Sequence, residues 1–414
     1  MYEIKRDLLS KLKNHLEKKE ITLIIWPRQV GKTTLMKKLK EFLEKSSKKT
    51  IFLNLDYEQD NTFFETQEKL LWKIKLEIWE KWYVFIDEIQ RKENAWVFLK
   101  WIYDLDLDYK FIISWSWSLE LKERINESLA WRKRMFECFP VNFKEFINYE
   151  TNYKYENNFF DFLELEKEKV LNLLKKYLNF WWYPRVILET EKLEKKYIID
   201  EIYKSYVLKD ISYLLKIEKP DAFMFILKIL STQIWQILKY SELSKQVWIS
   251  EKTIKNYIYY AENTFSIKKV IPFFRNKQKE IIKSPNIYFN DLWLRNYMIW
   301  VMWTLKEPVS LWFVFQNFVY KLLLERYLDS NVIIKFWRTL DGAEVDFVLD
   351  IWDSFIWVEV KFSHLKKIEI TKSLRSFINK YSPKEILVVN LSLRKNTYLQ
   401  DTKVKFVPFY DLLQ

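Results

Sequence analysis

The sequence predicts an α/β protein with an N-terminal parallel sheet, a helical stretch, a helix-turn-helix segment and a second α/β unit at its C-terminal end. Three observations carry this. Short apolar runs alternate with helical stretches between residues 21 and 116, the pattern of βαβ units. The alternation ends near Pro140, and residues 141–235 read as helices with long charged faces. Beyond about residue 285, strand-like runs alternate with helices again.

Taken in order, residues 1–20 read as a basic amphipathic helix and ITLIIW (21–26) as a short apolar strand. PRQVGKTT follows, then the helix TLMKKLKEFLEKS. TIFLNLDY (50–57) and YVFIDEIQ (83–90) are the next strands; a helix around Ala95–Tyr103 leads to KFIISWS (110–116). Residues 236–275 carry the helix-turn-helix pattern, and NVIIKFW, EVDFVLD, FIWVEVKF and EILVVNL are strands of the last unit. The expected divisions are 1–140, 141–235 (a helical lid or connector), 236–284 and 285–414.

The net charge is +13, from 69 Lys and Arg against 56 Asp and Glu. That suits an anionic partner such as duplex DNA, and equally suits biased base composition in a Lys-, Ile- and Asn-rich chain. One cysteine, Cys138, excludes an internal disulfide and suits a reducing compartment. No apolar run approaches the ~20 residues of a membrane span, and the first residues lack a signal-peptide core. The expectation is a soluble cytoplasmic protein without a membrane partner.

Glycine occurs 2 times and tryptophan 20 times, against ordinary usage of roughly 7% glycine. Tryptophans also stand where backbone chemistry wants glycine: Trp26 in a phosphate-binding motif, Trp115 and Trp117 in ISWSWSL, Trp181 and Trp182 before Tyr-Pro, and Trp248 at the helix-turn-helix turn. The expectation is that most are glycines in the living protein, from a gene in which UGA encodes glycine. Gly31 and Gly342 would then come from ordinary glycine codons, while Trp337 suits its strand-like run as written.

The signature G-x-x-x-x-G-K-[ST] maps onto Trp26, Pro27, Arg28, Gln29, Val30, Gly31, Lys32 and Thr33, with its first glycine replaced and Thr34 following. It follows a strand and opens a helix, the context a P-loop needs. Backbone N–H groups and the helix N-terminus cradle phosphates, Lys32 reaches the β- and γ-phosphates, and the Thr33 hydroxyl ligates Mg²⁺. The second half is YVFIDEIQ. Asp87 ends a buried strand and would orient Mg²⁺, and Glu88 can polarise the attacking water. ATP and Mg²⁺ are thus the expected ligands. Ser114 and Ser116 end the next strand, where one can sense the γ-phosphate or merely cap a helix. Arg132 and Arg134 are candidates for a charge-stabilising arginine, in cis or in trans, against the plainer reading of solvated charge.

With these residues in hand, the chain resembles the bacterial and archaeal AAA-type ATPases that carry a C-terminal domain of unknown function with a restriction-endonuclease-like core. The resemblance spans nearly the whole chain and rests on PRQVGKTT, VFIDEIQ, IISWSWSLEL, SLAWRKRMFECFPVNFKEF, YPRV, YFNDLWLRN, RTLDGAEVDFVL and WVEVK. Reading Trp as Gly in several of these restores the family pattern. The resemblance implies an N-terminal ATPase, a winged-helix-like middle and a nuclease-like end. One departure is Gln316, where the family has an acidic residue before Asn-Phe-Val.

In ILKYSELSKQVWISEKTIKNYI, Leu243 and Val247 face inward, Trp248 makes the turn, and Ser250 caps a second helix holding Thr253, Lys255 and Asn256. Such a helix can enter a major groove or serve only as a packing module. In the last unit Asp346, Glu359 and Lys361 match the PD-(D/E)xK layout, two carboxylates for a divalent cation and a lysine for the water. The plainer reading is a fold that keeps charged strand residues for structure. The leading expectation is an ATP hydrolase acting as a switch on a DNA-facing C-terminal half, with a second copy or partner protein possible. The alternatives are a nucleic-acid-binding module that uses ATP as a conformational lock, and a metal-dependent nuclease.

Overall fold

The computed structural model describes residues 3–25, 29–79, 82–116, 131–180, 183–204, 219–234, 236–274, 276–301, 308–328, 330–339, 341–351 and 354–413. Trp26, Pro27, Arg28, Trp117, Trp181 and Trp182, singled out above, lie outside the described residues. The chain packs as two compact units, Met1–Asn152 with Trp182–Glu218, and Tyr153–Trp181 with Lys219–Gln414. The stretch 141–235, expected as one connector, is divided between them.

The first unit is built on five parallel strands, β1 (Ile21–Ile25), β2 (Thr50–Asn54), β3 (Trp82–Asp87), β4 (Tyr109–Trp115) and β5 (Lys133–Glu137), in the order β2-β3-β4-β1-β5. Every residue of β1 and β4 is buried, which is why both read as unbroken apolar runs. Helix Lys32–Lys45 turns Leu35, Met36, Leu39 and Leu43 inward, one face of a 3.6-residue period. Because the order reverses at β1, the chain segments leaving the C-terminal ends of β1, β3 and β4 share one edge, where open α/β sheets bind ligands.

Two differences from the sequence reading stand out. Among the described residues of 3–20 only Leu8–Asn14 is helical; His15, which follows it, is buried with its Nδ1 2.8 Å from Thr22 Oγ1. Strand β5 was unforeseen: of KRMFE only Phe136 is buried, so this edge strand shows no apolar alternation.

In the second unit, helices Tyr240–Val247 and Glu251–Asn263 precede the antiparallel pair β6 (Ile267–Val270) and β7 (Asn286–Phe289). Ile237 forms an antiparallel bridge to Asn286. Leu243 is buried, Val247 half-buried, and the Ser250 hydroxyl accepts from the Thr253 N–H at 3.1 Å.

Six strands form the C-terminal sheet: β8 (Ile333–Arg338), β9 (Glu344–Ile351), β10 (Ser354–Val360), β11 (Glu385–Asn390), β12 (Lys395–Leu399) and β13 (Thr402–Pro408). Their order is β12-β13-β11-β10-β9-β8, with β10–β11 and β11–β13 parallel and the other pairs antiparallel. Trp337, Val348, Trp357, Phe377, Val388 and Phe406 lie in its core. The sequence pattern anticipated β8–β11 but not the closing hairpin.

Fifteen described non-glycine residues have positive φ, and five are tryptophans: Trp79 (63°), Trp82 (147°), Trp131 (65°), Trp248 (60°) and Trp300 (56°). Trp131 and Trp248 are also 97% and 91% exposed. Bulky side chains resist this backbone region, and an exposed indole gains no packing to offset the strain. Trp337 differs: it is buried and donates from Nε1 to the Tyr381 hydroxyl at 3.0 Å. Trp115 has extended backbone, stacks on Trp96 at 6.0 Å between centroids, and keeps its Nε1 buried without a partner among the described residues. Among the described residues no helix is long and apolar enough to cross a membrane.

Candidate nucleotide-binding site

Beyond β1 the described chain resumes at Gln29, whose φ is 64°, and Val30, which is buried. Gly31 then caps helix Lys32–Lys45 with φ 96° and ψ 24°, a left-handed conformation that a side chain would strain. Lys32, the first helical residue, is only 4% exposed. Thr33 follows, and its hydroxyl donates to Asp87 Oδ2 at 2.7 Å. Thr34 points to solvent.

Asp87 ends β3 and is fully buried. Register places β4 alongside, so Ser114 donates to Asp87 Oδ1 and its Oγ accepts from the Glu88 N–H at 3.0 Å. Glu88 has left-handed backbone, φ 56°. Its carboxylate accepts from the Ser116 hydroxyl at 3.1 Å and from Gln90 Nε2. The Ser116 N–H closes the ring by donating to Gln90 Oε1 at 3.0 Å. Ser116 and Gln90 thus hold both oxygens of Glu88. Sequence reasoning had Gln90 only as the end of a motif; its position two residues after Glu88 was the available signal.

The arrangement supplies three kinds of chemistry. A helix N-terminus and a buried lysine favour phosphate. The Thr33 hydroxyl beside the Asp87 carboxylate is a hard oxygen pair of the kind Mg²⁺ takes. Glu88 is a carboxylate fixed in orientation, as a general base must be. No group of three or more His, Cys, Asp or Glu among the described residues is placed to hold a metal.

The arginines fall elsewhere. The Arg132 carbonyl accepts from Ile21 N–H at the start of β1, and its guanidinium pairs with Asp104 at 2.7 Å. Since β5 runs parallel to β1, Arg132 sits at the opposite end of the sheet from Gly31, about 16 Å along a five-residue strand. That position does not suit a role for Arg132 at the loop of its own chain. Arg134 lies within β5 with its guanidinium over the Phe136 ring, beside Thr22 of β1 rather than at the strand ends.

A second polar cluster lies in the C-terminal sheet. Asp346 Oδ1 accepts from Gln316 Nε2 at 2.7 Å, and Oδ2 from the Val360 N–H at 2.7 Å. Lys361 donates to Glu359 Oε1 at 2.6 Å. Burial pushes both carboxyls up, Asp346 well above the ordinary range, with Glu359 beside it adding to its shift. Burial opposes the Lys361 charge, yet Glu359 and Asp346 hold its pKa above the ordinary lysine value. Both oxygens of Asp346 are occupied by N–H donors, and Gln316 presents an amide where a ligating acid would stand. As arranged, the set fits a divalent cation poorly.

Residues 18–147 match the family model described as an AAA domain. Residues 171–304 and 313–412 match two domains of unknown function, DUF8612 and DUF4143. An uncharacterized protein of Methanocaldococcus jannaschii is 26% identical over 281 residues, 66% of this chain. The chain spans 61% of the length of that relative. Among solved structures, the Aeropyrum pernix ORC1 protein in complex with DNA is similar at 11% identity and TM-score 0.32, over 70% of this chain and 90% of that one. AMPPCP-bound DnaA from Aquifex aeolicus is similar at 15% identity and TM-score 0.31, over 64% and 90%. At these scores neither bears on what this chain does.

Proposed function

We propose that this chain, whose N-terminal segment is an AAA-type P-loop domain, binds ATP with Mg²⁺, hydrolyses it, and uses the nucleotide state as a switch on a DNA-facing C-terminal half. The observation that carries the reading is the meeting of Thr33, Asp87 and Ser114 beside the Gly31–Lys32 helix N-terminus, with Glu88 held one residue beyond. Lys32 and the first-turn N–H groups would bind the phosphates. Thr33 and Asp87 would hold Mg²⁺, which neutralises phosphate charge when bound. Glu88 would accept the proton of the attacking water, oriented by Ser116 and Gln90. Ser114, bonded to both Asp87 and the Glu88 backbone, would sense the occupied site.

Nucleotide binding and phosphate release test this directly. Lys32→Ala should abolish ATP binding, because it removes the cation of the loop. Glu88→Gln should bind ATP and retain it unhydrolysed, since the carboxylate is the base and not a phosphate contact. Unchanged ATP affinity in the first variant, or wild-type turnover in the second, refutes the assignment. Binding without turnover in the wild type, with or without duplex DNA, would favour ATP as a conformational lock.

The DNA-facing reading is supported by helices Tyr240–Val247 and Glu251–Asn263 with the β6–β7 pair behind them, an arrangement that fits a winged helix, and by exposed Lys252, Lys255 and Asn256 on the second helix. The nuclease alternative has the meeting of Asp346, Glu359 and Lys361 in its favour and the Gln316 amide against it. Mg²⁺- or Mn²⁺-dependent plasmid nicking that disappears in Asp346→Asn would establish it.

We further infer that most of the tryptophans are glycines in the protein as its own cell makes it. The support is local backbone: Trp79, Trp82, Trp131, Trp248 and Trp300 all adopt conformations that suit glycine.

A further inference from the structure

A largely enclosed arginine beside Val30 and Gly31 takes no part in the chemistry above. Arg6 lies in the segment before helix Leu8–Asn14, and its side chain is 10% exposed. Its Nη1 donates to the Val30 carbonyl at 2.9 Å. Its Nη2 donates to the Phe139 carbonyl and, at 3.4 Å, to that of Pro140. Its Nε donates to Glu145 Oε2 at 2.9 Å. Glu145 is in turn fixed: Oε1 accepts from the Asp7 N–H at 2.7 Å, Oε2 from the Asn142 N–H at 3.0 Å, within a capping box that opens helix Phe143–Glu150. A β-carbon at Gly31 would come within 3.8 Å of Arg6 Nη1.

The consequence follows from peptide geometry. In a planar trans peptide the C=O and the following N–H point in opposite directions. Holding the Val30 carbonyl toward Arg6 therefore turns the Gly31 N–H away from Arg6, onto the other face of the loop. A phosphate cradle is made of such N–H groups. The Glu145 carboxylate compensates the guanidinium charge, so what Arg6 delivers to the loop is orientation. Three carbonyls and a carboxylate around one guanidinium need the planar fork of arginine; a lysine ammonium at that depth cannot span them.

We propose that Arg6, fixed by Glu145, is the positioning residue of the phosphate loop, setting the Val30–Gly31 peptide so that its N–H faces bound nucleotide. The inference rests on the ATP-binding reading. Its test uses the full chain with Trp26→Gly as the wild-type background, and compares that background with Arg6→Lys and Glu145→Gln by steady-state ATP hydrolysis, direct binding of a non-hydrolysable ATP analogue, and melting without nucleotide.

Arg6→Lys should raise KM and the analogue Kd about tenfold or more, the effect of losing a hydrogen bond to a charged group. Its kcat at saturating ATP should stay within a few fold of wild type, because Glu88 and Asp87 are untouched. Glu145→Gln, which leaves Arg6 present but less fixed, should show the same change in KM at smaller size. A purely structural role gives the opposite split: a lower active fraction and kcat, an earlier melt, and unchanged KM and Kd. That result overturns the proposal, as does wild-type affinity in Arg6→Lys. A wild-type chain that binds no analogue removes the ATP reading itself and this inference with it, a different outcome from tight wild-type binding that Arg6→Lys leaves intact.

Discussion

His15 shows how single side chains in the first unit are held against their solution preferences. It is buried, with Nδ1 2.8 Å from Thr22 Oγ1 and 3.3 Å from the Lys110 ammonium, and Phe136 meets the ring edge-on. Lys110 donates to the Lys18 and Glu20 carbonyls as well, closing the turn before β1. Burial first, then Lys110 and Arg134, with a smaller part from Lys18 and against the pull of Glu20, lower the His15 pKa to about 4. The neutral ring is the native form. The unfolded chain, titrating near 6.5, takes up a proton first as pH falls, so stability is complete above pH 6.5 and declines between 6.5 and 4. The loss should reach about 2–3 kcal/mol at the acid end. His15→Asn keeps an acceptor but cannot titrate there, and should flatten the melting-temperature profile over that window. An unaltered slope would mean that other groups carry the acid sensitivity.

At the level of elements, the first helix of the helix-turn-helix ends at Trp248, in left-handed backbone with φ 60° and ψ 40°. Its N–H donates to the Ser244 carbonyl, as in a left-handed helix cap. Glycine relieves the strain of a β-carbon there, worth about 1–2 kcal/mol, and little is lost with an indole 91% exposed. Trp248→Gly should therefore raise the melting temperature by a few degrees. A packed tryptophan behaves oppositely, its truncation costing roughly 3–5 kcal/mol. Trp115, stacked on Trp96, belongs to that second kind as the chain stands, so its replacement is the informative contrast. The following helix carries the DNA prediction. Lys255→Glu should weaken duplex binding and lower the slope of log affinity against log salt by about 1 for the lost phosphate contact. Salt-insensitive binding, or none at low salt, leaves the positive charge as composition alone.

For the molecule as a whole, the recoding inference is a statement about mass and affinity. Protein purified from its native host should be lighter than a chain with 20 tryptophans, the count in the sequence as written. A measured mass matching that count ends the inference. In a chain made as written, Trp26→Gly should raise ATP affinity, because the first P-loop position must turn sharply beside the phosphates. Equal or lower affinity would mean the indole belongs there.

Local pattern made several features legible in advance. Continuous apolar runs announced β1, β3 and β4, because strands buried on both faces carry the signal in every residue. Gly31, Lys32, Thr33, Asp87 and Glu88 stood out because the proposed phosphate site calls for those residue types directly after buried strands. Edge strands β5 and β12 were not legible, since strands open to solvent mix polar and apolar residues freely. Nor could spacing show that Arg132 lies at the far end of the sheet, which depends on β5 pairing in parallel with β1. The Gln90–Ser116 clamp on Glu88 needed the β3–β4 register. Arg6 and Glu145, 139 positions apart, meet beside Val30 only once the sheet has formed between them. Burial periodicity and motif chemistry are local and are written in neighbouring residues; which distant side chains share a site depends on chain closure, which only the tertiary structure decided.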